Sequence, residues 1–570
     1  MAASGRSSTG EGFSLETEVL GALPVLEHYW GRLGLSAWLS RAVGDGDGRS
    51  RLSPAKALRV AITNICIHHE PVYGLGKWAK DRDPKTMGLD DNDVSYLNDD
   101  RVGRALGRLF DSDRASLLND LVLKAVAEFD VDCSQLHNDS TSVRLSGVYS
   151  SATGGHRGTK RTVAVARGFS KDHRPDLKQL VWILTVAADG AVPLAHRVVD
   201  GNTEDSTTHI ATWDALCQLL GRSDFLYVAD AKLCVRATMD HIDRLGGRFV
   251  TVLPRSRKED EAMREWLCTH EPDWQEALRL PGRRLDDPTD VYSLVESPWP
   301  SSEGYRVIWV RSSGKVERDA ESRRRRIAEG IAALDAINGR LSSPRTRMKS
   351  KVTIAEEADE ALEECGATRW VGYEIDEVTE VSHRQESRGR PGKNTRYRRI
   401  TKTRHRLRFV VRDDLVIHDA CSDGCWPLIT NDRDLDAAAL LVAYKYQPHL
   451  ERRHHLLKGD QLVAPVFLRD PARIEGLMTC HFIALLIQAL MELEARRAMA
   501  RRGIDAIALY PEDRDASSPS AARMIGALDS LARHHLFDTD GNLVQTFSPT
   551  FTPLQSQLLD LLGVPAGAYS

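Results

Sequence analysis

Residues 134–143 read SQLHNDSTSV, and this stretch decides the fold because it places an acid, Asp139, inside a strand pattern. Apolar and β-branched residues are interleaved with small polar ones along it, as is typical of a strand with a buried face. The sequence before it has a helical pattern, so the character of the chain changes here. The stretch therefore predicts a strand that carries Asp139 and opens the central domain.

The segments that follow predict a sheet crossed by helices. Two apolar stretches, LVWILTVA at 180–187 and PLAHRVVD at 193–200, are joined by the turn Ala188-Asp189-Gly190. The remaining predicted elements are a helix at 206–220, a strand at 225–230, a helix at 237–245 and a strand at 248–253. The first three strands can form an antiparallel meander, and the last two can add in parallel through crossover helices.

This strand order is that of ribonuclease H-like folds. In such folds one acid lies midway along the first strand, a second at the end of the fourth, and a third on a helix after the fifth. Asp139, Asp230 and Glu451 occupy these three places. Asp230 and Glu451 are 221 residues apart, which is too long for a loop and predicts an inserted domain.

The predicted fold class is α/β: a ribonuclease H-like catalytic core with a large inserted α+β domain, a helical N-terminal domain and a helical C-terminal tail. The predicted boundaries are 1–13 for a disordered start, 14–128 for the helical N-terminal domain, 132–255 and 418–500 for the core, 256–417 for the insertion and 501–570 for the C-terminal helical region. The N-terminal domain could bind DNA or serve only for packing, and its pattern does not separate the two.

Three carboxylates brought together repel one another, by on the order of 1 kcal/mol per pair at about 4 Å in water and by more at lower dielectric. A cluster of Asp139, Asp230 and Glu451 must therefore bind cations or take up protons. Oxygen ligands favour Mg²⁺ or Mn²⁺, and two such ions would activate a hydroxyl and stabilise the leaving oxygen of a phosphodiester.

Each acid also has a purely structural interpretation. Asp139 could be a strand-edge or turn residue, Asp230 a helix N-cap, and Glu451 part of a solvated helix face. Acids of the loop Asn202-Thr203-Glu204-Asp205 could replace Asp230, although capping of the next helix explains them.

The segment from Tyr444 to Lys458 is predicted to be helical, with Pro448 kinking or restarting the helix. Glu451 and Lys458 are seven residues apart, about two turns, and so share one face. Cations that suit phosphate contacts follow the glutamate; they are Arg452, Arg453, His454, His455 and Lys458. The alternative is a solvated basic helix.

Residues 384–408 contain eleven Lys or Arg residues and one acid, Glu386. Each phosphate that such a stretch neutralises adds a slope of about −0.9 to the salt dependence of binding. The predicted DNA-contacting cations here are Arg388, Arg390, Lys393, Arg396 and Arg398. Arg388-Gly389-Arg390-Pro391 is similar to a short minor-groove hook, with a solvated basic hairpin as the alternative.

Composition sets the remaining limits. The net charge is −4, so the chain as a whole is not a basic nucleic-acid binder. Nine cysteines without a C-x-x-C pair predict reduced thiols in a cytosolic protein. No signal-peptide core is evident, and the longest apolar run, Phe482 to Met491, is shorter than a membrane span. Trp426 could stack on an unpaired base or be a core residue that opens a strand.

The order Asp, Asp, Tyr-x2-Gln-x3-Glu-x6-Lys resembles that of the DDE transposases of bacterial insertion sequences, in the group with a Y-x2-R-x3-E-x6-K signature and an insertion before the last acid. Tyr444, Glu451 and Lys458 match that signature, and Gln447 stands where arginine is commoner. Five further stretches resemble this group: HNDSTS, GFSKDHRPDLKQLV, GNTEDSTTH, VADAKL and PLITNDRDL.

The resemblance implies an enzyme that binds the terminal inverted repeats of its element, pairs two ends as a homodimer, cuts them and joins the 3′-hydroxyls to target DNA. Metal ligation by Asp139, Asp230 and Glu451, and contacts of Tyr444, Gln447 and Lys458 with the DNA end, are implied with it. A bacterial cytoplasmic, nucleoid-associated location is expected. Two alternatives stay open: a relic that binds DNA ends without cutting, and a ribonuclease H-like nuclease without strand transfer.

Overall fold

The structure is a computed structural model, and it describes residues 7–9, 12–44, 46, 51–67, 69–90, 92–169, 171, 174–282, 287–343, 346, 350–459, 461, 463, 468–510, 512 and 514–570. The chain forms two compact units. Unit 1 comprises Met1–Thr251 and Ala443–Ser570, and unit 2 comprises Val252–Val442.

Unit 1 begins with two paired strands, β1 (Ser7–Thr9) and β2 (Phe13–Val19). The disorder predicted for residues 1–13 is therefore wrong for Ser7–Thr9 and Phe13, and residues 1–6, 10 and 11 lie outside the described residues. Six helices follow: α1 (Leu23–Leu33), α2 (Leu35–Val43), α3 (Pro54–Ile67), α4 (Leu75–Lys80), α5 (Asp99–Asp111) and α6 (Arg114–Glu128). Asn98 caps α5 by accepting a hydrogen bond from the backbone of Arg101.

The next elements build the sheet of unit 1. They are β3 (Gln135–Leu145), β4 (His156–Arg157), β5 (Lys160–Arg161), β6 (Lys178–Ala187), β7 (Pro193–Val199), α7 (His209–Leu220), β8 (Leu226–Ala229), α8 (Arg236–Arg244) and β9 (Arg248–Val252). β6 is antiparallel to β3 and β7, whereas β8 is parallel to β3 and β9. The order within unit 1 is β9-β8-β3-β6-β7, so the predicted meander and its two parallel additions are confirmed.

Unit 2 combines an antiparallel sheet with a helical layer. Its elements are α9 (Lys258–Leu267), β10 (Gln275–Leu280), β11 (Asp290–Glu296), β12 (Arg306–Ser312), α10 (Ser313–Ser342), α11 (Lys351–Glu364), β13 (Val371–Gln385), β14 (Tyr397–Val411), α12 (Asp413–Ala420) and β15 (Cys425–Thr430). The next helix, α13 (Ala437–Lys445), crosses the boundary at Val442, and its last three residues belong to unit 1. Four strands pair in the order β10-β11-β12-β15. Leu334, Ile354, Val371 and Leu407 belong to a core that ties α10 and α11 to the β13–β14 hairpin.

The bounds of unit 2 differ from those predicted for the insertion, 256–417. Residues 418–442, assigned in prediction to the catalytic core, belong to unit 2. The reason is that β15 pairs along its length with β12 of the same unit.

Unit 1 resumes with α14 (Gln447–Lys458), α15 (Pro471–Arg502), β16 (Ile507–Ala508), β17 (Asp515–Ala516), α16 (Ala521–Leu528), β18 (Ala532–Phe537), β19 (Leu543–Phe547) and α17 (Pro553–Leu561). β18 pairs with β2 and with β19, so the C-terminal region is not purely helical as predicted. α15 is long and apolar enough to cross a membrane, but 94% of its apolar window is buried, as expected for the core helix of a folded domain.

Candidate active site

The two aspartates predicted as metal ligands lie side by side on neighbouring strands. β3 and β8 are parallel, and their register pairs Asn138 with Ala229. The residues that follow this pair are Asp139 and Asp230, so the two acids occupy matched positions on strands about 5 Å apart. The sheet therefore brings together two acids that are 91 residues apart in the sequence.

Asp139 is a mostly buried carboxylate, with 20% of its side chain exposed. Its Oδ1 accepts a hydrogen bond from the backbone N–H of Ser140 at 2.7 Å and lies 3.4 Å from Nζ of Lys171. Burial raises the pKa of Asp139 above its ordinary value, and the charge of Lys171 acts in the opposite direction. A charged form at this position depends on cations close by.

Asp230 caps the short turn that follows β8, because its Oδ1 accepts a hydrogen bond from the backbone N–H of Lys232 at 3.0 Å. The capping interpretation is therefore correct. It does not exclude ligation, since a carboxylate has about four lone-pair sites. Burial raises the pKa of Asp230, and the nearby charge of Asp139 raises it further.

Glu451 lies on α14, which packs against β3. Its side chain is exposed. Burial raises the pKa of Tyr444, and the charges of Asp230, Glu451 and Asp139 raise it further. Across the part of the chain that the structure describes, however, no group of three His, Cys, Asp or Glu residues is close enough to hold a metal ion.

The surroundings nevertheless suit a hard cation. The donors here are carboxylate, hydroxyl and carbonyl oxygens, which is the ligand chemistry of Mg²⁺ and Mn²⁺. A cation already lies among them: Nζ of Lys171 is 3.4 Å from Asp139 and 3.3 Å from Oδ2 of Asp205. Burial acts to lower the pKa of Lys171, but the charges of Asp139, Asp205 and Asp230 together hold it above its ordinary value.

Two residues of α14 that the sequence predicts to contact DNA point inward instead. Oε1 of Gln447 is 2.8 Å from Nδ1 of His137, and its Nε2 donates to the carbonyl of Asn138 at 3.4 Å. Arg453 is 2% exposed and donates to the carbonyls of Ala191 at 3.0 Å and Gly190 at 2.8 Å. Both side chains fasten α14 to the sheet, and the predicted DNA contacts are corrected accordingly.

Arg453 is also paired with a buried acid of α15. Its Nη1 lies 2.8 Å from Oε2 of Glu492, whose side chain is 5% exposed. Oε1 of the same glutamate accepts a hydrogen bond from the backbone of Ala521 at 3.0 Å. The arginine is therefore a structural link between α14, α15 and the turn before β7.

His454 is buried as well, with Nε2 3.7 Å from Oδ2 of Asp139. Burial lowers its pKa to about 3, helped by the positive charges of Lys171 and Lys458. A neutral, buried imidazole does not contact phosphate, so this member of the predicted cation set is also corrected. Arg452 remains exposed and Lys458 partly exposed, and for these two the predicted phosphate contact stays a prediction.

A second candidate surface lies in unit 2, where β13 and β14 form a two-stranded hairpin that we call the arginine ribbon (371–411). At its base, cations are neutralised: Arg404 lies 3.0 Å from Glu380, and Arg408 lies 3.3 Å from Asp376. Near its tip, Arg384 is directly opposite Arg398. Like charges at facing positions destabilise a sheet, so the tip gains from an anionic partner.

The tip of the arginine ribbon carries the cations that the sequence predicts to contact DNA. All of them are exposed: Arg388, Arg390, Lys393, Arg396 and Arg398. Within the described ranges, none of these five side chains forms an ion pair. Gly389, in the predicted hook, has a φ of 134°, a conformation that favours glycine.

Trp426 lies in β15 opposite Val310 and is partly buried. It is thus a strand residue of the unit 2 sheet, as the structural alternative predicts. Base stacking by its exposed part stays a prediction.

Residues 15–123 match a family described as a domain of unknown function, DUF4277. No curated protein matches the chain. A solved structure of a piggyBac transposase synaptic complex with hairpin DNA is similar at a TM-score of 0.28 and 7% identity, over 81% of this chain and 80% of that chain. A TM-score this low carries no argument.

The DUF4277 match covers β2 and most of the helical region through α6, and it stops before β3. The acid site lies outside it.

Lys171 was not predicted as a member of the site. It stands between β5 and β6, in the stretch GFSKDHRPDLKQLV, and no periodicity connects it with Asp139. Asp205 belongs to the loop whose acids could replace Asp230, with capping as the alternative, and its Oδ2 lies 3.3 Å from Nζ of Lys171.

Proposed function

We propose that this protein is a DDE-type DNA transposase that cuts the ends of its insertion sequence and joins the 3′-hydroxyls to target DNA. The observation that carries the proposal is the register of β3 and β8, which sets Asp139 beside Asp230. The third acid, Glu451, is on a helix packed against the first of these strands.

The strand order of unit 1 supports a ribonuclease H-like core. In order of sequence the five strands are arranged 5-4-1-2-3, with the first three antiparallel and the last two parallel to the first. One acid then lies within strand 1 and one at the end of strand 4. This is the arrangement that the resemblance to DDE transposases implies.

In this proposal Asp139, Asp230 and Glu451 would hold Mg²⁺ or Mn²⁺, two ions in all. When bound, such ions lower the pKa of a hydroxyl nucleophile and neutralise the leaving oxygen in phosphodiester displacement. The register of β3 and β8 places the two aspartates at matched backbone positions, from which both carboxylates would contribute ligands. Glu451, on the helix packed against β3, would supply the third carboxylate.

The protein's cations would hold the DNA. Arg452 and Lys458 on α14 are proposed to contact phosphates of the cut end, with Tyr444 beside the acids. The arginine ribbon is proposed to bind duplex DNA through its tip, since exposed arginines without acidic partners gain counter-charge from phosphates. Terminal inverted repeats as the bound sequence, a homodimer on DNA and a nucleoid-associated location remain parts of this proposal.

The test is cleavage of a labelled duplex that carries the element's own end, with Mg²⁺, by the wild-type protein and by Asp230→Asn. Asp224→Asn is the matched control, because Asp224 is an acid just before β8 that pairs with Arg222 on the surface. A cut at the element boundary that yields a 3′-hydroxyl, kept in the control and lost in Asp230→Asn, supports the proposal.

Two other outcomes point to the alternatives. Binding of the end without cutting by either protein would indicate a relic. Cutting without any strand-transfer product, when target DNA is supplied, would indicate a nuclease.

A further inference from the structure

Lys171 lies in a cradle of oxygen atoms. Its Nζ donates to the carbonyl of Ser140 at 2.6 Å and is 3.0 Å from Oγ of the same residue. The carboxylates of Asp139 and Asp205 lie on either side, at 3.4 and 3.3 Å. Its side chain is 32% exposed, so the ammonium group is partly withdrawn from water and depends on these oxygens for solvation.

The oxygen atoms around Lys171 belong to a region of concentrated negative charge. Asp139 and Asp230 stand on adjacent strands, and Asp205 adds a third negative charge near them. Without a cation, burial and mutual repulsion would oppose ionisation of the group. The lysine supplies the missing positive charge from within the chain.

We propose that Lys171 is an internal counter-cation. Its ammonium group neutralises the carboxylates while no divalent ion is bound, and it leaves Asp139 when such an ion binds. This inference rests on the proposed function, because it concerns the same acid site. A divalent ion held by Asp139 would draw on the carboxylate whose Oδ1 faces Lys171. An ammonium group 3.4 Å from that oxygen would repel the ion and compete for its ligand.

Asp205 has a defined part in this exchange. When Lys171 leaves Asp139, it keeps a partner in Asp205, on the loop before α7. The lysine is therefore able to swing away without losing all its counter-charge.

The test measures binding of Mn²⁺ alone to the full chain by calorimetry, without DNA, together with thermal unfolding in the absence of metal. Lys171→Met is expected to bind Mn²⁺ about tenfold more tightly than wild type and to unfold at a lower temperature when metal-free. Lys171→Arg keeps the charge and is expected to bind like wild type. Lys232→Met is the matched control, since it removes an exposed lysine two residues from Asp230 without altering the backbone N–H that Asp230 accepts.

Equal Mn²⁺ affinity in wild type and Lys171→Met would overturn this inference while leaving the proposed function intact. Equal tightening in Lys171→Met and Lys232→Met would also overturn it, because the effect would then come from net charge and not from the cradle. Absence of Mn²⁺ binding in every variant, wild type included, would overturn both the metal chemistry and this inference.

Discussion

Asp139 and Asp230 stand on adjacent strands with Lys171 within 3.4 Å of one of them, whereas Arg384 and Arg398 face each other across the exposed arginine ribbon with no acid of the described residues paired to either. Both regions concentrate charge of one sign. The first is partly buried and contains its own counter-ion. The second is solvated, so water and salt screen its repulsion until a polyanion arrives.

The comparison shows that burial decides whether a charged group needs a counter-charge from within the protein. Charge withdrawn from water needs a partner inside the protein, because desolvation is costly. Charge at the surface can remain without one at little cost. Substitutions at the acid site are therefore expected to change cleavage and stability. Substitutions in the arginine ribbon are expected to change how DNA binding depends on ionic strength.

The largest effect is expected for Asp139→Asn. Cleavage should fall by at least about a thousandfold, since one of the three proposed metal ligands is lost. Thermal stability at neutral pH should stay the same or rise. The raised folded-state pKa of Asp139 means that its ionised form opposes folding, and the amide removes that term.

The raised pKa of Asp139 also sets how the stability of the protein depends on pH. For a carboxyl with a raised folded-state pKa, stability is greatest below the unfolded pKa and falls as pH rises through the folded pKa. Unfolding measured across the acidic range should show this contribution weakened in Asp139→Asn. A clear loss of stability at neutral pH in that variant would contradict the account of a strained, buried acid.

Arg453→Met is expected to destabilise the fold by about 3 kcal/mol, because it removes the partner 2.8 Å from buried Glu492 and leaves only Arg496, at 3.9 Å, as a cation beside that carboxylate. The adjacent exposed residue supplies the control: Arg452→Met should change the free energy of unfolding by less than about 0.5 kcal/mol. Chemical denaturation of the two variants measures both. Equal effects would mean that Arg453 is not the inward-facing link described above.

Gln447→Leu is expected to cost about 1–3 kcal/mol, since a buried polar atom loses its partner. Nε2 of His137 lies 2.8 Å from the donating Nε2 of Gln135, so Nδ1 carries the proton and donates to Gln447. Gln545→Leu changes an exposed glutamine in β19 and should be nearly neutral. If the two variants unfold alike, the His137 contact contributes nothing.

The smallest effect in stability, and the most dependent on salt, is expected for the double variant Arg384→Gln and Arg398→Gln. The negative slope of log K against log salt for binding to an unrelated duplex should become shallower by about 1.8, at about 0.9 per lost phosphate contact. The matched double variant Arg404→Gln and Arg408→Gln removes cations already paired with acids. It should change that slope less, and a larger change there would place the DNA contact at the base of the ribbon.

The strand order could be predicted from the sequence because each element carries a local signal. β6 is nearly all apolar and buried, as strands covered on both faces are, and the turn after it is marked by Asp189-Gly190. Given that order, the neighbourhood of Asp139 and Asp230 follows from strand pairing alone.

Which face of α14 packs against the sheet could not be predicted in the same way. Helical periodicity shows which residues share a side, but not which side meets the sheet. Arg453 and Gln447 are polar and were therefore assigned to DNA, although their partners lie in β3, in the turn before β7 and in α15. Pairing of β2 with β18 was missed for a related reason, since the partner of a strand 513 residues away leaves no local trace.

Unit 1 is built from two segments of the chain, with unit 2 between them in the sequence. Its parts are therefore synthesised at different times. At roughly 5–20 residues per second, the 221 residues between Asp230 and Glu451 delay the third acid by on the order of ten to forty seconds. The free edge of β2 waits longer, because its partner begins only at Ala532. An uncovered strand edge invites pairing with other chains, so interrupted synthesis is expected to yield aggregates and not free chains that carry a complete acid site.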